Sequence, residues 1–375
     1  MIILNPFVQQ HPDAVFIWRT RMESMQEYTP ERLAAVGRTV ARDLLCRVDA
    51  PGASGTQAFV VKPNICGGPR EGEDPSAWRS QPGESTSVDV VRGFLEVMHT
   101  LGAAYDRITL VEGRSILDLE AVFRYSGYEY LCGQLGVRLM NNGRDPYGPE
   151  ELNWVELPQG VVFRQIPLVR PANDGGVDLI NIATMKAHPL ALTTLCVKNL
   201  QGLVAFRYKH FCHELEMLEK GEGCYTPEVL SAFQPDLRQR LEPGFARHRQ
   251  DDPQWTMRDE LYANRACDTL LAVRPMVCIV EGVLARGGTG YRRGTDVLAN
   301  TLVAGLNPVH VDAVATYLMG QDPNRPNYLR LAAERGFGTR DPFAVELYLM
   351  IENGPECADL GALARLELDV TLSRR

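Results

Sequence analysis

The segment 181–202 holds the densest group of side chains that could do chemistry. Lys186 and His188 stand two positions apart, so on an extended backbone their side chains point the same way. Lysine and histidine are common acid–base groups, and both also bind carboxylates and phosphates. We therefore predict four catalytic residues in this segment: Lys186, His188, Lys198 and Asn199.

The apolar positions after Pro189 predict a helix over 190–204. The free amides of its first turn would form an anion site, and Thr194 would share a helical face with Lys198. Two interpretations stay open for Lys186, which could hold the anion or act as a nucleophile or base. A third is that the lysines and the histidine are ordinary solvated residues.

Polar residues follow four short apolar runs that are typical of buried strands, the last of which ends at Glu281. In open parallel sheets, ligands bind beyond the carboxyl ends of the strands, so these residues predict one shared cleft. Chance is the alternative, since strands commonly end in polar turns. The residues predicted to bind the anion or a cofactor are Lys62, Asn64, Glu112, Arg114, Thr193, Thr194, Gly287, Gly288, Gly290 and Arg292.

Two glycine-rich segments are candidates for loops around that cleft. Glycines in 287–294 would let the backbone approach a ligand closely, but their spacing fits neither a dinucleotide-binding fingerprint nor a P-loop. A mobile loop is the alternative interpretation there. Residues 66–84 hold many glycines, prolines and charges and little apolar material, which predicts a mobile lid.

Evidence for a metal or a cofactor is weaker. His188 and His213 are the candidate metal ligands, although the H-E-x-x-H spacing of zinc proteases is absent. The nine cysteines form no C-x-x-C pair, which argues against a ferredoxin-type iron–sulfur cluster. The cofactor therefore stays unknown, with a divalent metal as one possibility.

Strand-like and helix-like stretches alternate along the chain, which predicts an α/β fold with a mostly parallel sheet and flanking helices. We expect two lobes around a cleft. The N-terminal α/β lobe would span 1–150, and the second would span 151–375 with a helical polar insertion at about 205–256. Predicted strands are 58–62, 107–112, 137–140, 177–182, 276–281 and 301–304; predicted helices are 87–101, 117–125, 190–204, 256–273, 309–319 and 328–334.

Composition limits the function classes. The 375 residues carry a net charge of −8, which does not favour general nucleic-acid binding. No run of eighteen apolar residues predicts a membrane span, and the first residues lack a secretion signal, so we expect a cytoplasmic protein. The expected partner is a small anionic molecule, and the oligomeric state is left open.

Several of these motifs together resemble the DUF362 family, a domain of unknown function. The match covers most of residues 58–340, and its motifs read here as Val61-Lys62-Pro63-Asn64, Asp178, Lys186-Ala187-His188, Thr193-Thr194, Lys198-Asn199, Gly202-Leu203, His213, Glu281-Gly282, Gly288–Gly294 and Asn307–Ala315. The chain departs from the family pattern at Glu281, Tyr291 and Asn307. The resemblance implies an α/β fold but supplies no activity. Some members carry a ferredoxin module, whose cysteine spacing this chain lacks.

These observations lead to one expected function and one alternative. We expect an enzyme that acts on a small carboxylate or phosphate by Lys/His acid–base chemistry in an interlobe cleft, with an isomerase- or lyase-like reaction favoured. The alternative is a metal- or cofactor-binding carrier or assembly protein. A metal-dependent enzyme distantly similar in layout to the nickel-pincer racemases belongs to that second group, on fold-level analogy alone.

Overall fold

A computed structural model of the chain describes residues 1–48, 57–66, 82–113, 119–143, 147–209, 212–291 and 293–372. Residues 67–81 of the predicted lid lie outside the described residues, as do the candidate ligands Arg114 and Arg292. Among the residues that are described, no helix is long and apolar enough to cross a membrane.

Strands and helices alternate along the described chain, which confirms the α/β class. The strands are β1 (Ile2–Leu4), β2 (Val15–Arg19), β3 (Leu45–Arg47), β4 (Ala58–Pro63), β5 (Ile108–Glu112), β6 (Arg138–Asn141), β7 (Leu152–Glu156), β8 (Gln165–Val169), β9 (Val177–His188), β10 (Leu192–Thr194), β11 (Val277–Arg286), β12 (Asp296–Gly305), β13 (Leu347–Ile351) and β14 (Gly354–Cys357). The helices are α1 (Pro6–Gln10), α2 (Pro30–Leu44), α3 (Val88–Thr100), α4 (Leu119–Tyr125), α5 (Tyr128–Leu135), α6 (Cys196–Asn199), α7 (Leu215–Lys220), α8 (Pro227–Leu230), α9 (Leu237–Asp251), α10 (Met257–Ala272), α11 (Pro308–Leu318) and α12 (Asn327–Glu334).

One large mixed sheet organises the fold. Its strand order is β14-β13-β2-β12-β11-β9-β4-β5-β6, and β10 adds to β9. The five strands from β11 to β6 run parallel to one another, whereas β12 is antiparallel to both of its neighbours. Because parallel strands end at the same edge, this half of the sheet collects the residues after β4, β5, β9 and β11. The sheet takes strands from both sides of residue 150, and the predicted lobe boundary there stays a prediction.

The parallel strands are apolar because helices cover both faces of the sheet. Along β4, Phe59 and Val61 face the cluster formed with α2 and α3, while Val60 faces the cluster formed with α10 and α12. This alternation follows from the two-residue repeat of an extended chain. The sheet is therefore the rigid layer from which the residues at its carboxyl edge project.

Two predictions around the candidate site were wrong. The predicted strand over 177–182 does not end at residue 182, because β9 continues through His188. The predicted helix over 190–204 is instead a tight turn, β10, the four-residue helix α6 and a 3₁₀ turn at Leu200–Leu203. Leu192 adopts a left-handed φ of 66°, and the β-branched Thr193 and Thr194 then pair with the end of β9.

The polar stretch 205–256 contains the helices α7, α8 and α9, and its status as an insertion stays a prediction. His248 on α9 is buried and fixes this segment to the core. Its Nδ1 lies 2.6 Å from the Glu260 carboxylate on α10, and its Nε2 lies 2.9 Å from the Glu334 carboxylate on α12. Arg330 and Arg247 also pair with Glu334. The imidazole therefore joins three helices.

This histidine clamp should make stability depend on pH. Burial by itself lowers the pKa of His248, but hydrogen bonds to Glu260 and Glu334 outweigh it and hold the pKa above its usual 6.5. The charged form thus stabilises the fold below the unfolded pKa, and this contribution is lost as pH rises through the folded value. Urea unfolding between about pH 6 and pH 9 should show the loss in the native protein and a flatter profile in His248→Gln. If the free energy of unfolding changed equally with pH in the native protein and in His248→Gln, the proposed contribution of His248 would be contradicted.

Candidate active site

Lys62 and Glu112, at the ends of the neighbouring strands β4 and β5, form a buried ion pair. Lys62 Nζ donates to the Glu112 carboxylate at 2.9 Å, to the Pro63 carbonyl at 2.6 Å and to Asn199 Oδ1 at 3.1 Å. Burial lowers the pKa of Lys62, and Glu112 acts in the opposite direction. The predicted anion ligand Lys62 therefore already has three protein partners.

Asn199 and Gly202 complete this buried network. Asn199 Nδ2 donates to the Lys62 carbonyl at 2.9 Å and to Asn181 Oδ1 at 2.8 Å. A Cβ on Gly202 would lie 2.4 Å from Lys62 Cε, so only glycine allows this approach. The predicted catalytic residue Asn199 thus connects β4 to β9 and holds Lys62 in place.

Lys186, near the end of β9, is buried and acts electrostatically on Lys62. Its Nζ donates to the Glu84 carbonyl at 2.7 Å, which ties β9 to the segment before α3. Asn64 contacts the same segment, because its backbone N–H donates to Thr86 Oγ1 at 3.0 Å. Within the described residues, Asn64 Oδ1 is buried without a hydrogen-bond partner. The β4 and β9 ends therefore meet beside a buried acceptor that no described residue satisfies.

His188 ends β9, and the backbone after it determines its chemistry. The amides of Leu190 and Ala191 both donate to Nδ1, at 3.2 and 3.0 Å. Burial, followed by the positive charges of Lys198, Lys186 and Arg258, holds the pKa of His188 well below its usual range. The ring lies nearly parallel to that of Tyr262, with 6.4 Å between centroids. His188 is therefore a neutral imidazole near neutral pH.

Lys198 on α6 is partly exposed and lies within electrostatic reach of both Lys186 and His188. Its Nζ makes no hydrogen bond or ion pair to any residue that the structure describes. Burial is the largest cause that lowers its pKa, and the charge of Lys186 lowers it further, although Cys212, Cys66 and Glu112 oppose this. Lys198 thus combines a lowered pKa with an amine that no described residue engages.

The predicted anion site at a helix N-terminus does not exist, because the helix begins later and is already capped. The Asp312 carboxylate on α11 accepts the amides of Cys196 and Val197, at 2.7 and 2.9 Å, where α6 begins. Burial raises the pKa of Asp312 to about 7. Thr193 Oγ1 lies 3.0 Å from the Tyr328 hydroxyl, whereas Thr194 pairs with Lys186 across the β9–β10 ladder.

The glycine loop after β11 packs on the end of β9, and the amides of three of its glycines are already bonded. Those of Gly287, Gly288 and Gly290 donate to the carbonyls of Thr295, Asp369 and Gly287. Gly290 packs directly on Ala187, between Lys186 and His188 in the chain. The loop therefore supports the end of β9, and a role for its glycines in holding a cofactor stays a prediction. Glu281 on β11 is engaged elsewhere, since it accepts the amides of Ser87 and Val283.

Replacing Gly290 by alanine should destabilise this support. Its φ is +63°, and a Cβ would lie 1.7 Å from the Ala187 carbonyl oxygen, so the loop and β9 must separate. We expect a loss of at least about 2 kcal/mol in the free energy of unfolding, measured by urea denaturation. Gly133→Ala is the control, because a Cβ there meets nothing within 4 Å. A change in Gly290→Ala no larger than the control's would refute the steric argument.

Helix α10 adds residues that sequence analysis missed. Arg258 and Tyr262 lie one helical turn apart and both act on His188, one by charge and one by ring contact. The Arg258 guanidinium donates to the Cys212 carbonyl and pairs with Glu214 at 3.0 Å. Their i, i+4 spacing at the start of a predicted helix was the available signal, but nothing in the sequence connects that helix to β9.

The metal hypothesis gains no support from the described residues. No group of three or more His, Cys, Asp or Glu side chains in that part of the chain could hold a metal ion. The rings of His213 and Tyr225 lie edge to face with 5.7 Å between their centroids, and burial lowers the pKa of His213. Of the His188 nitrogens, Nδ1 already accepts two amides, which leaves only Nε2 for any ligand.

Comparison with known families adds an identification to this geometry. No curated protein matches the chain. The family model described as "Domain of unknown function (DUF362)" matches residues 60–317, which include the ends of β4, β5, β9 and β11 and the whole of α6 and α10. This match spans more than half of the sequence, and the chain therefore belongs to the DUF362 family.

Proposed function

We propose that the chain is an enzyme that binds a small carboxylate or phosphate at the carboxyl edge of the sheet. The observation that supports this proposal is the group formed by Lys186, His188 and Lys198, which act on one another electrostatically. Like charges are costly to hold together in a partly buried place unless an anion joins them. The Glu112 carboxylate nearby is engaged by Lys62 and by the amides of Ile65 and Gly113.

Within this proposal the residues divide the work. Lys186, fixed by the Glu84 carbonyl, supplies positive charge to the anionic group of the substrate. Lys198, whose pKa is lowered, removes a proton from the carbon next to a carboxylate or carbonyl and returns it. His188 lies between the end of β9 and Tyr262 and contacts the same substrate. This assignment makes Lys198, rather than Lys186, the general base.

Binding of simple anions tests the proposal. Inorganic phosphate and oxalate should bind the native protein at low ionic strength, as measured by calorimetry. Lys186→Met should weaken both by roughly 10-fold or more, because a charge-assisted hydrogen bond contributes about 1.5–3 kcal/mol. Lys220→Met is the matched control, since Lys220 is an exposed lysine at the end of α7.

Two results would contradict the proposed site. One is the absence of phosphate and oxalate binding to a native protein that unfolds cooperatively. The other is equal weakening by Lys186→Met and Lys220→Met, which would show that the anions respond to overall charge only. Salt dependence gives an independent check, because a partly buried site is screened less than an exposed lysine.

A further inference from the structure

The hydrogen bonds of His188 specify one tautomer. A backbone N–H can only donate, so the Nδ1 that receives the amides of Leu190 and Ala191 must carry a lone pair rather than a proton. The ring proton then lies on Nε2. Protonation of Nδ1 would place an N–H against two N–H donors, so the imidazolium is excluded by geometry as well as by the charges around it.

The elements packed around the His188 ring also disfavour its charged form. The charged groups that face the ring are Lys186 on β9, Lys198 on α6 and Arg258 on α10, and all three oppose a positive imidazole. The Tyr262 ring covers one side of it. Nε2–H has no hydrogen-bond partner within the part of the chain that the structure describes. A donor fixed in one tautomer and left without an acceptor is suited to an oxygen of a ligand.

We propose that His188 is a neutral hydrogen-bond donor to a second, uncharged oxygen of the substrate, and not a proton shuttle. This inference rests on the proposed function, and it narrows the substrate class to anions that carry a carbonyl oxygen beside the anionic group. Lys186 then binds the anionic group and His188 binds the neighbouring oxygen. As the proton leaves carbon, charge develops on that oxygen, and Nε2–H stabilises it without transferring its own proton. The amides of Leu190 and Ala191 are positioning groups.

Other histidines in the chain provide internal controls. His99 and His310 direct Nδ1 at backbone carbonyls, at 3.0 and 2.9 Å, so their Nδ1 carries a proton. His248 lies between two carboxylates and should be charged at neutral pH. The protein thus contains histidines with a proton on Nδ1 that can be compared with His188 under identical conditions.

Nitrogen-15 NMR of the histidine-labelled full-length protein tests the tautomer directly. The His188 signals, assigned by their loss in His188→Gln, should show a bare Nδ1 and a protonated Nε2 from about pH 5 to pH 9. His99 and His310 should show a protonated Nδ1. A His188 that titrates in this range, or one with a protonated Nδ1, would overturn the inference.

Binding of two matched acids tests the role of the donor. Oxamate has a carbonyl oxygen next to its carboxylate, and propionate has none. His188→Ala should weaken oxamate by roughly 10-fold and leave propionate within about 2-fold, whereas His188→Gln, which retains an N–H donor, should restore most of the oxamate affinity. Equal effects on both acids would overturn the role proposed for His188 while leaving anion binding intact. Failure of both acids, phosphate and oxalate to bind the native protein would instead refute the proposed function and this role with it.

Discussion

Glu112→Leu should lower the free energy of unfolding by about 3–5 kcal/mol, the largest stability effect that we expect at this site. The substitution leaves Lys62 Nζ buried, with the Pro63 carbonyl and Asn199 Oδ1 as its remaining partners. It also leaves the amides of Ile65 and Gly113 without the acceptor that now satisfies them. Urea denaturation followed by circular dichroism measures the change.

The double variant Lys62→Met, Glu112→Leu separates loss of charge balance from loss of packing. Replacing both members of a buried ion pair by apolar side chains is often close to neutral, so the double variant should recover part of the stability lost in Glu112→Leu. Glu156→Gln, at an exposed position of β7, should change stability by less than about 0.5 kcal/mol. A double variant less stable than Glu112→Leu would show that an uncompensated Lys62 charge is not the cause of the loss, because removing that charge would then bring no recovery.

Most of the sheet could be predicted because its strands are buried on both faces. Continuous apolar runs such as 58–62 and 276–281 are typical of buried parallel strands when they alternate with helical patterns along a chain. The helices α3, α10 and α11 were predicted within one or two residues. Their starts are local features of the sequence, because the side chains of Ser87, Thr256 and Asn307 cap their first turns.

The segment after Pro189 could not be predicted, because its structure depends on distant residues. Its apolar spacing alone favours a helix, but Thr193 and Thr194 pair with β9, and Asp312 on α11 fixes the start of the short helix α6. Asp312 lies more than 100 positions away in sequence, so no local pattern shows the competition. The same tertiary contacts remove the predicted anion site at residue 190.

The sequence could name candidate residues for the site but not the partners of each side chain. Strands β4 and β9 are parallel neighbours, and this arrangement is the reason why residues after their ends were expected at one edge of the sheet. Residue type alone could not show which lysine amine lacks a protein partner. That depends on Glu112, which binds Lys62, and on the Glu84 carbonyl, which binds Lys186. Among these lysines, Lys198 is the one whose amine no described residue engages. The sequence pattern gave it no priority over Lys186.

Lys198→Arg should abolish proton exchange while preserving anion binding, which is the largest functional effect that we expect. Arginine keeps the positive charge but does not lose a proton in proteins, so it cannot act as a base. A general base contributes about 10²–10⁴-fold, and the rate of deuterium uptake from D₂O should fall by at least about 100-fold. Proton NMR of a panel of small acids, each with a C–H next to a carboxylate or carbonyl, measures this without knowledge of the product.

The pH profile of exchange and the variant Lys186→Arg distinguish the two lysines. Because the proposal makes the neutral amine of Lys198 the base, exchange in the native protein should increase as pH rises through a pKa below the usual 10.5. Lys186→Arg should keep most of this exchange, since Lys186 is assigned a charge rather than a removable proton. If Lys186→Arg lost exchange and Lys198→Arg kept it, Lys186 would be the base. The hydrogen bond from Lys186 to the Glu84 carbonyl would then have to break during the reaction.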